Sequence, residues 1–350
     1  EGDGTAADWL FSQGEVVVRG GTLRWRDALR PQAPPLALQA VDIVLRNRPW
    51  RHALRLDATP PPDWGQRFTL MGQLHEPLLS AHAGAWQRWS GQLYAWFPHV
   101  DVAQLHQYVH LQDAALTRGR GALRAWVDLH QGQASGGVAD LRLADVDARL
   151  GPALAPLALR QLSARLRASR WEQGFELATQ DLQFVTADGL NWPGGNLRLR
   201  QEHQGSARAQ GTLQAEHLDL AALAQIASAL PLPEPVHAAL RRYTPQGQVP
   251  NLQLQWQGEL AQWRSYRAQG RVERLALAAP PDAGADWVPQ DFGVRGASVS
   301  FDANEQGGKA QLALSDGALL LPGVFEEPVL PLQRLSTNVR WTLDGAQIAV

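Results

Sequence analysis

Asn251-Leu252-Gln253-Leu254-Gln255-Trp256-Gln257 alternates polar and apolar side chains at every step. Successive side chains of an extended strand point to opposite faces, so this period of two predicts a strand with one buried and one wet face. Moving outward, the same period recurs in Leu123, Ala125, Val127, Leu129, then in Ala207, Ala209, Gly211, Leu213, in Tyr266, Ala268, Gly270, Val272, and in Ala297, Val299, Phe301. Turn-forming stretches are expected at Gly20-Gly21, Gly136-Gly137, Gly194-Gly195-Asn196 and Asn304-Glu305-Gln306-Gly307-Gly308. The pattern is that of a hairpin meander.

A spaced apolar phrase is reused within it. Leu36, Leu38, Val41, Ile43, Leu45 is repeated as Leu157, Leu159, Leu162, Ala164, Leu166 and again as Leu330, Leu332, Leu335, Thr337, Val339. Offsets of two keep a strand's side chains on one face, and the one offset of three at the same place predicts a shared bulge or bend. The copies start at unequal intervals, which excludes a short fixed-period solenoid. A long sheet grown by hairpins fits better.

Composition narrows the function. The formal charge of -2 and the near absence of lysine, with Lys309 alone, argue against a nucleic-acid binder, which needs a basic stripe to displace phosphate counterions. The absence of cysteine excludes disulfides and thiolate metal sites from these residues, and fits a bacterial cytosol or periplasm. No run approaches the roughly 18 apolar residues that span a bilayer, and the residues from Glu1 onward do not read as a signal peptide. An anchor, if there is one, is expected outside this segment.

Helices are expected at two places. Asp101 can cap one bearing Val102, Leu105 and Val109, and Asp219 can cap another bearing Leu220, Leu223, Ile226 and Leu230. After Pro231-Leu232-Pro233, Pro235 can start a further helical stretch through Val236, Leu240 and Tyr243. The proline-rich pieces at residues 31–35, 60–62 and 280–281 read as loops or strand ends. No linker divides the chain, so residues 1–350 are expected to form one continuous body, with sub-blocks 1–100, 101–216 and 217–350.

Catalytic patterns are missing. His99, His106 and His110 come nearest to a metal site, the last two spaced one helical turn apart, but the Glu of a His-Glu-x-x-His pattern does not follow His106. Asp145 and Asp147 share strand phase as a glycosidase pair would, yet they fall on the wet side of a strand whose apolar side holds Val146 and Ala148. No nucleophile elbow, phosphate loop or dinucleotide fingerprint is present. No catalytic residue, metal or cofactor is expected. Tryptophan is unusually frequent, 14 against 4 tyrosines, and Trp86, Trp89 and Trp96 gather near Tyr94. A sugar-stacking platform, rings placed at an apolar–wet boundary, or ordinary packing would each explain that cluster. Trp25, Trp171, Trp256 and Trp341 keep strand phase with aliphatic neighbours, which favours packing or an apolar lining over sugar recognition.

Several phrases, in order through nearly the whole chain, carry a resemblance. They are Asp8-Trp9-Leu10 with Leu23-Arg24-Trp25-Arg26-Asp27; Pro35-Leu36-Ala37-Leu38 leading to Leu45-Arg46-Asn47 and His52-Ala53-Leu54; Trp89-Ser90-Gly91-Gln92-Leu93-Tyr94; Gly119-Arg120-Gly121-Ala122-Leu123-Arg124-Ala125-Trp126; Thr186-Ala187-Asp188-Gly189-Leu190; and Asp302-Ala303-Asn304-Glu305-Gln306-Gly307-Gly308. In these the chain resembles the YhdP family of large AsmA-like bacterial envelope proteins. The resemblance implies an internal segment of a bridge-like lipid transporter with a repeating β-groove fold. Such a protein carries phospholipid acyl chains across the periplasm between inner and outer membranes. Its inner-membrane anchor and its outer-membrane end would lie outside this segment, and the family offers no catalytic residue to carry over.

The expectation is therefore an all-β fold, a long curved antiparallel sheet with a few short helices, and a lipid groove lined by Leu123, Val127, Leu252, Leu254, Trp256, Leu312 and Leu314. Roughly 18 stacked strands would make an apolar strip on the order of 85 Å long. A closed sandwich would show the same alternation, so a structural envelope module whose groove is self-filled, or a Trp-rich carbohydrate-binding β protein, remains a competing reading.

Overall fold

Alternation produces strands here almost everywhere it occurs, and in the computed structural model strands make up most of the chain, with only a few short helices. The structure describes residues 5–26, 35–77, 84–106, 115–204, 208–260, 262–279, 292–322, 324, 326–344 and 347–349. They divide into two compact units, one of Glu1–Ala148 with Ala158–Glu172 and one of Arg149–Leu157 with Gln173–Val350.

The first unit opens with a helix, α1 (Thr5–Ser12), followed by β1 (Glu15–Trp25), β2 (Leu36–Arg48), β3 (Arg51–Thr59), β4 (Phe68–His75), β5 (Ser90–Asp101), α2 (Val102–His106) and β6 (Ala115–His130). From β1 to β6 each strand pairs antiparallel with the next. The meander continues through β7 (Gln133–Arg149) and β8 (Leu157–Trp171). As expected, Asp101 caps the helix after it, its Oδ1 accepting from the Ala103 N–H at 3.0 Å. Two expected turns are instead interior to strands. Gly20-Gly21 is a bulge inside β1 and Gly136-Gly137 lies inside β7, whose hairpin with β6 turns at Gln131-Gly132, both at positive φ. Two left-handed residues match the twist of a tight hairpin, which paired glycines alone do not identify.

The offset of three has a definite backbone form. In β2 the inward residues Leu38 and Val41 are separated by Gln39 and a left-handed Ala40, φ 46°. The same spacing occurs in β1 at Val18, here exposed, and Gly21 around Gly20, φ 63°, and in β7 at buried Leu143 and Val146 around Asp145, φ 52°. Each extra residue bends its strand without changing the face of the residues on either side. Polar side chains fasten the bends in β1 and β2: the Gly20 N–H donates to Asp42 Oδ1 at 3.0 Å, and Arg67 donates to the Ala40 carbonyl and to Asp42 Oδ2, both at 2.6 Å. Above them Leu38, Val41, Ala58 and Phe68 form a core with Leu56, Leu70 and Phe97 against it.

The second unit contains β9 (Gly174–Thr186), β10 (Asn191–Trp192), β11 (Leu197–Gln204), β12 (Arg208–Ala215), β13 (Leu218–Asp219), α3 (Leu220–Ile226), α4 (Glu234–Tyr243), β14 (Gln246–Glu259), β15 (Gln262–Leu277), β16 (Gly293–Asn304), β17 (Gly307–Leu320), β18 (Val329–Asp344) and β19 (Gln347–Ala349). All pairings are antiparallel. β9 holds both β10 and β11, β14 holds β12 and β13, and β14 through β19 pair in sequence. Left-handed residues sit in the same arrangement at Asp181 in β9, Arg274 in β15, Gly296 in β16 and Asp316 in β17.

The second and third copies of the repeated phrase differ from the first. Arg160 and Gln161 in β8 and Gln333 and Arg334 in β18 carry no positive φ. In β18 the offset is matched by the partner strand: Ser315 pairs with Arg334 and Gly317 with Leu332, so Gln333 passes left-handed Asp316 with no slip of register. The bend there belongs to a strand pair.

Both units have a wet face fastened by ion pairs. In the first, Asp140 accepts from Arg165 at 2.6 Å and from Arg124 at 2.9 Å; in the second, Asp302 accepts from Arg267 at 2.8 Å. The guanidiniums of Arg165 and Arg124 hold the Asp140 carboxyl down at about 2, and Arg267, with Gln269 beside it, does the same for Asp302.

Candidate functional site

Opposite the ion pairs lies an apolar face. On β14, Leu252 and Leu254 are half-buried and Trp256 is buried, whereas Gln253, Gln255 and Gln257 are exposed. Leu254 lies between Leu213 of β12 and Ala268 of β15, so small and aliphatic side chains continue the face across three strands. On β17, Leu312 sits half-buried between Val299 and Thr337, while Leu314 is 1% exposed and packs with Val294 and Ala297. β15 and β16 separate β14 from β17, so the two leucine sets share one face about 14 Å apart. In the first unit Leu123 and Val127 are half-buried on β6, alternating with exposed Arg124 and Trp126.

These residues are not equivalent. A residue fully enclosed by its own sheet, such as Leu314, offers no surface to a ligand, whereas Leu252, Leu254, Leu312, Leu123 and Val127 keep part of their surface open. Trp256 is a wall: its ring lies against Gly211, where a Cβ would overlap it, and stacks on Trp263 at 5.6 Å. Gly211 is needed to leave room for that indole.

An apolar space lies in the first unit, where Trp25 had strand phase for an apolar lining and the expected groove residues did not reach. A cavity of about 310 Å³ lies between Leu23, Trp25, Leu38, Phe68, Leu70 and Phe97, with almost no polar atom on its walls. Leu38 and Phe68 are its buried floor, and Trp25 stays 53% exposed at its side. The signal was available: Leu23 and Trp25 fall in strand phase, and Leu36 and Leu38 open the repeated phrase. What sequence alone could not give is the pairing of Leu23 with Leu38 and of Trp25 with Leu36, which brings them together.

The tryptophan cluster separates onto two faces. Trp89 is buried on the apolar side against Phe11 and His52, and Trp86 is exposed. Trp96 and Tyr94 lie on the wet side with Trp126, whose ring is tilted 55° to Tyr94, and Arg124 lies over both Trp96 and Trp126. That arrangement is a cation–π staple. Asp147 pairs with Arg118 at 3.4 Å, and the exposed Asp145 is the left-handed residue of a bulge, so its side chain does not follow the simple phase that spacing implies. His110 and the side chain of His106 lie outside the described residues. Among those described, no group of three His, Asp or Glu could hold a metal ion, and no helix is long and apolar enough to cross a membrane.

Helices α3 and α4 belong to the second unit and are tied down on several sides. Asp219 accepts from the Ala222 N–H at 2.9 Å and from Gln248 Nε2 at 2.6 Å, Ser228 accepts from the Ala155 N–H at 3.0 Å, and the Tyr243 carbonyl accepts from the Ala278 N–H at 3.0 Å. The phrase Thr186-Ala187-Asp188-Gly189-Leu190 supplies another tie. Its Thr186 hydroxyl bonds Asp188 and accepts from the Leu190 N–H, and Asp188 Oδ2 accepts from Gln225 of α3 at 2.5 Å.

Compared with known proteins, the family model described as YhdP protein matches residues 1–350, the whole chain. No curated protein and no solved structure matches it.

Proposed function

We propose, from the premise that this chain belongs to the YhdP family, that it is a segment of an envelope lipid-transport protein. Its apolar face carries phospholipid acyl chains between the inner and outer membranes, in the periplasm, with membrane anchoring supplied by regions outside these residues. The observation that carries this reading is the apolar cavity of about 310 Å³ in the first unit, together with half-open leucines on the same kind of face in the second. An acyl chain needs a surface that offers dispersion contacts and asks for no hydrogen bond, and a wall almost free of polar atoms does both.

In this reading the protein performs no chemistry on the lipid. The ion-paired face stays in water and keeps the sheet soluble, while the apolar face exchanges water for acyl chain at about 25 cal/mol per Å² buried. Sliding requires that no polar group along the path hold the lipid in one place. Alternating Leu252 and Leu254 with Gln253 and Gln255 achieves that separation within a single strand.

The test is photocrosslinking in cells of the full-length protein with benzoylphenylalanine at Leu70, Leu252 or Gln253, read by mass spectrometry. Phospholipid adducts at Leu70 and Leu252 and none at Gln253 are the expected result. Equal labelling at all three, or none, would overturn the reading and leave a self-filled structural module.

A further inference from the structure

Asn47 ties the C-terminal end of helix α1 and the residues after it to the first unit. Asn47 Nδ2 donates to the carbonyls of Leu10 at 3.3 Å and Gln13 at 2.6 Å, and the Asn47 N–H donates to the Gly14 carbonyl at 2.9 Å. With its amide hydrogens committed there, Asn47 presents Oδ1 to His52 Nδ1 at 2.8 Å. A carboxamide oxygen only accepts, so Nδ1 carries the hydrogen and the neutral ring keeps its lone pair on Nε2. That Nε2 is buried with no partner. The ring is 5% exposed, stacked on Trp89 at 4.0 Å and 2° between planes, and Phe11 of α1 stands edge-on to both rings, at 5.5 and 4.6 Å.

The charged groups at this end of the elements are Asp8 on α1, Glu15 on β1, Arg46 and Arg48 on β2, Arg51 on β3, His75 and Glu76 at the end of β4, and Arg88 in the turn before β5. Glu76 Oε2 is itself buried without a hydrogen bond, and Arg19, Arg24, Asp42, Arg55 and Asp57 lie farther along the same strands. Asp8 accepts from the Gly84 N–H at 2.6 Å and Glu15 pairs with Arg46 at 2.8 Å. None of the carboxylates among the described residues bonds the His52 ring.

We propose that α1 is an acid-released latch: protonation of His52 detaches Thr5–Ser12 from the sheet and uncovers Phe11, Trp89 and the adjoining end of the apolar face. A second N–H, at Nε2, would have no acceptor in an aromatic enclosure, and a cation there would lack water. Burial accordingly holds the His52 pKa below its ordinary 6.5. The latched form favours the neutral ring and the released form titrates near 6.5. The latch is therefore at full strength above that pH. Below it, the opening equilibrium grows by up to about tenfold per pH unit until the lowered pKa is passed. This inference stands without the lipid reading.

Hydrogen exchange of the whole chain at pH 7.5 and 5.0, corrected for intrinsic rates, tests it. The expected result is a loss of α1 protection of about tenfold or more at pH 5.0, with β14 and β15 unchanged, and a release midpoint that coincides with the His52 titration followed by NMR. His52→Gln keeps a donor toward Asn47 and does not titrate, so its α1 protection should be the same at both pH values. Unchanged α1 protection in the wild type, parallel loss in β14 and β15, non-coincident midpoints, or the same pH-dependent loss in His52→Gln would each overturn the latch.

Discussion

The two units bend their strands in the same way and fill the bend differently. In the first, Leu38 and Phe68 floor a hollow that Leu23, Trp25, Leu70 and Phe97 surround without filling. In the second, Leu314, Ala297 and Val294 close on one another, and Leu275, Leu319 and Leu335 pack around them. Backbone geometry does not decide whether such a face is open. Side-chain volume does, because an interior that reaches ordinary packing density leaves no room for a guest.

The largest expected effect is that of a charge placed at a closed or at a half-open position of the second unit. Leu314→Arg should unfold the second unit, costing about 4 kcal/mol or more, since a charge would enter a closed core. Leu254→Asp, on a half-open position, should lower the thermal midpoint only slightly while blocking lipid transfer by the full-length protein, with Gln255→Arg as the harmless control. A Leu254→Asp protein that unfolds as Leu314→Arg does would mean that the second unit is self-filled at β14 as well as at β17.

The wall at Trp256 gives the next effect. Gly211→Ala should cost about 1–3 kcal/mol in chemical denaturation because the indole has to move, and Trp256→Leu in the same chain should recover part of it. Additive losses in the double mutant would show that the ring does not depend on Gly211.

Acid should act on the wet faces of both units. Asp140 and Asp302 sit at about 2, below the ordinary 3.8, so the stability their arginines confer is fully present above 3.8 and is lost as pH falls toward about 2. Asp140→Asn should flatten that dependence for the first unit, at a cost near 0.5–1 kcal/mol at pH 7. Thermal midpoints between pH 5 and 2 measure it. The smallest effect belongs to the bends themselves: Ala40→Gly or Asp316→Gly relieves a left-handed residue and should stabilise by about 0.5–1 kcal/mol.

How far the sequence could be read follows from these same residues. The faces of β14 were legible, since a period of two leaves Leu252, Leu254 and Trp256 no choice but to oppose Gln253 and Gln255. So were the caps Asp101 and Asp219, where a carboxylate precedes an apolar helical run. Degree of burial was not legible, because it depends on which strands lie alongside: Leu312 and Leu314 read alike in sequence, yet one is half-open and the other enclosed. The cavity depended on the cross-strand pairs Leu23 with Leu38 and Trp25 with Leu36. His52 stood within a matching phrase, but its contacts were not legible, since they depend on Asn47 and on a ring beyond the next strand.

The left-handed residues give these strands a property of frame. Removing Gln255 from β14 would turn every later side chain to the opposite face. Removing Ala40 from β2 or Asp316 from β17 would not, since the inward residues three apart would become two apart and stay in phase. Each bent strand thus carries one residue that sets its curvature and does not encode its sidedness, so length can be gained or lost at those positions, and the sheet straightened or curled, without exchanging its wet and apolar faces.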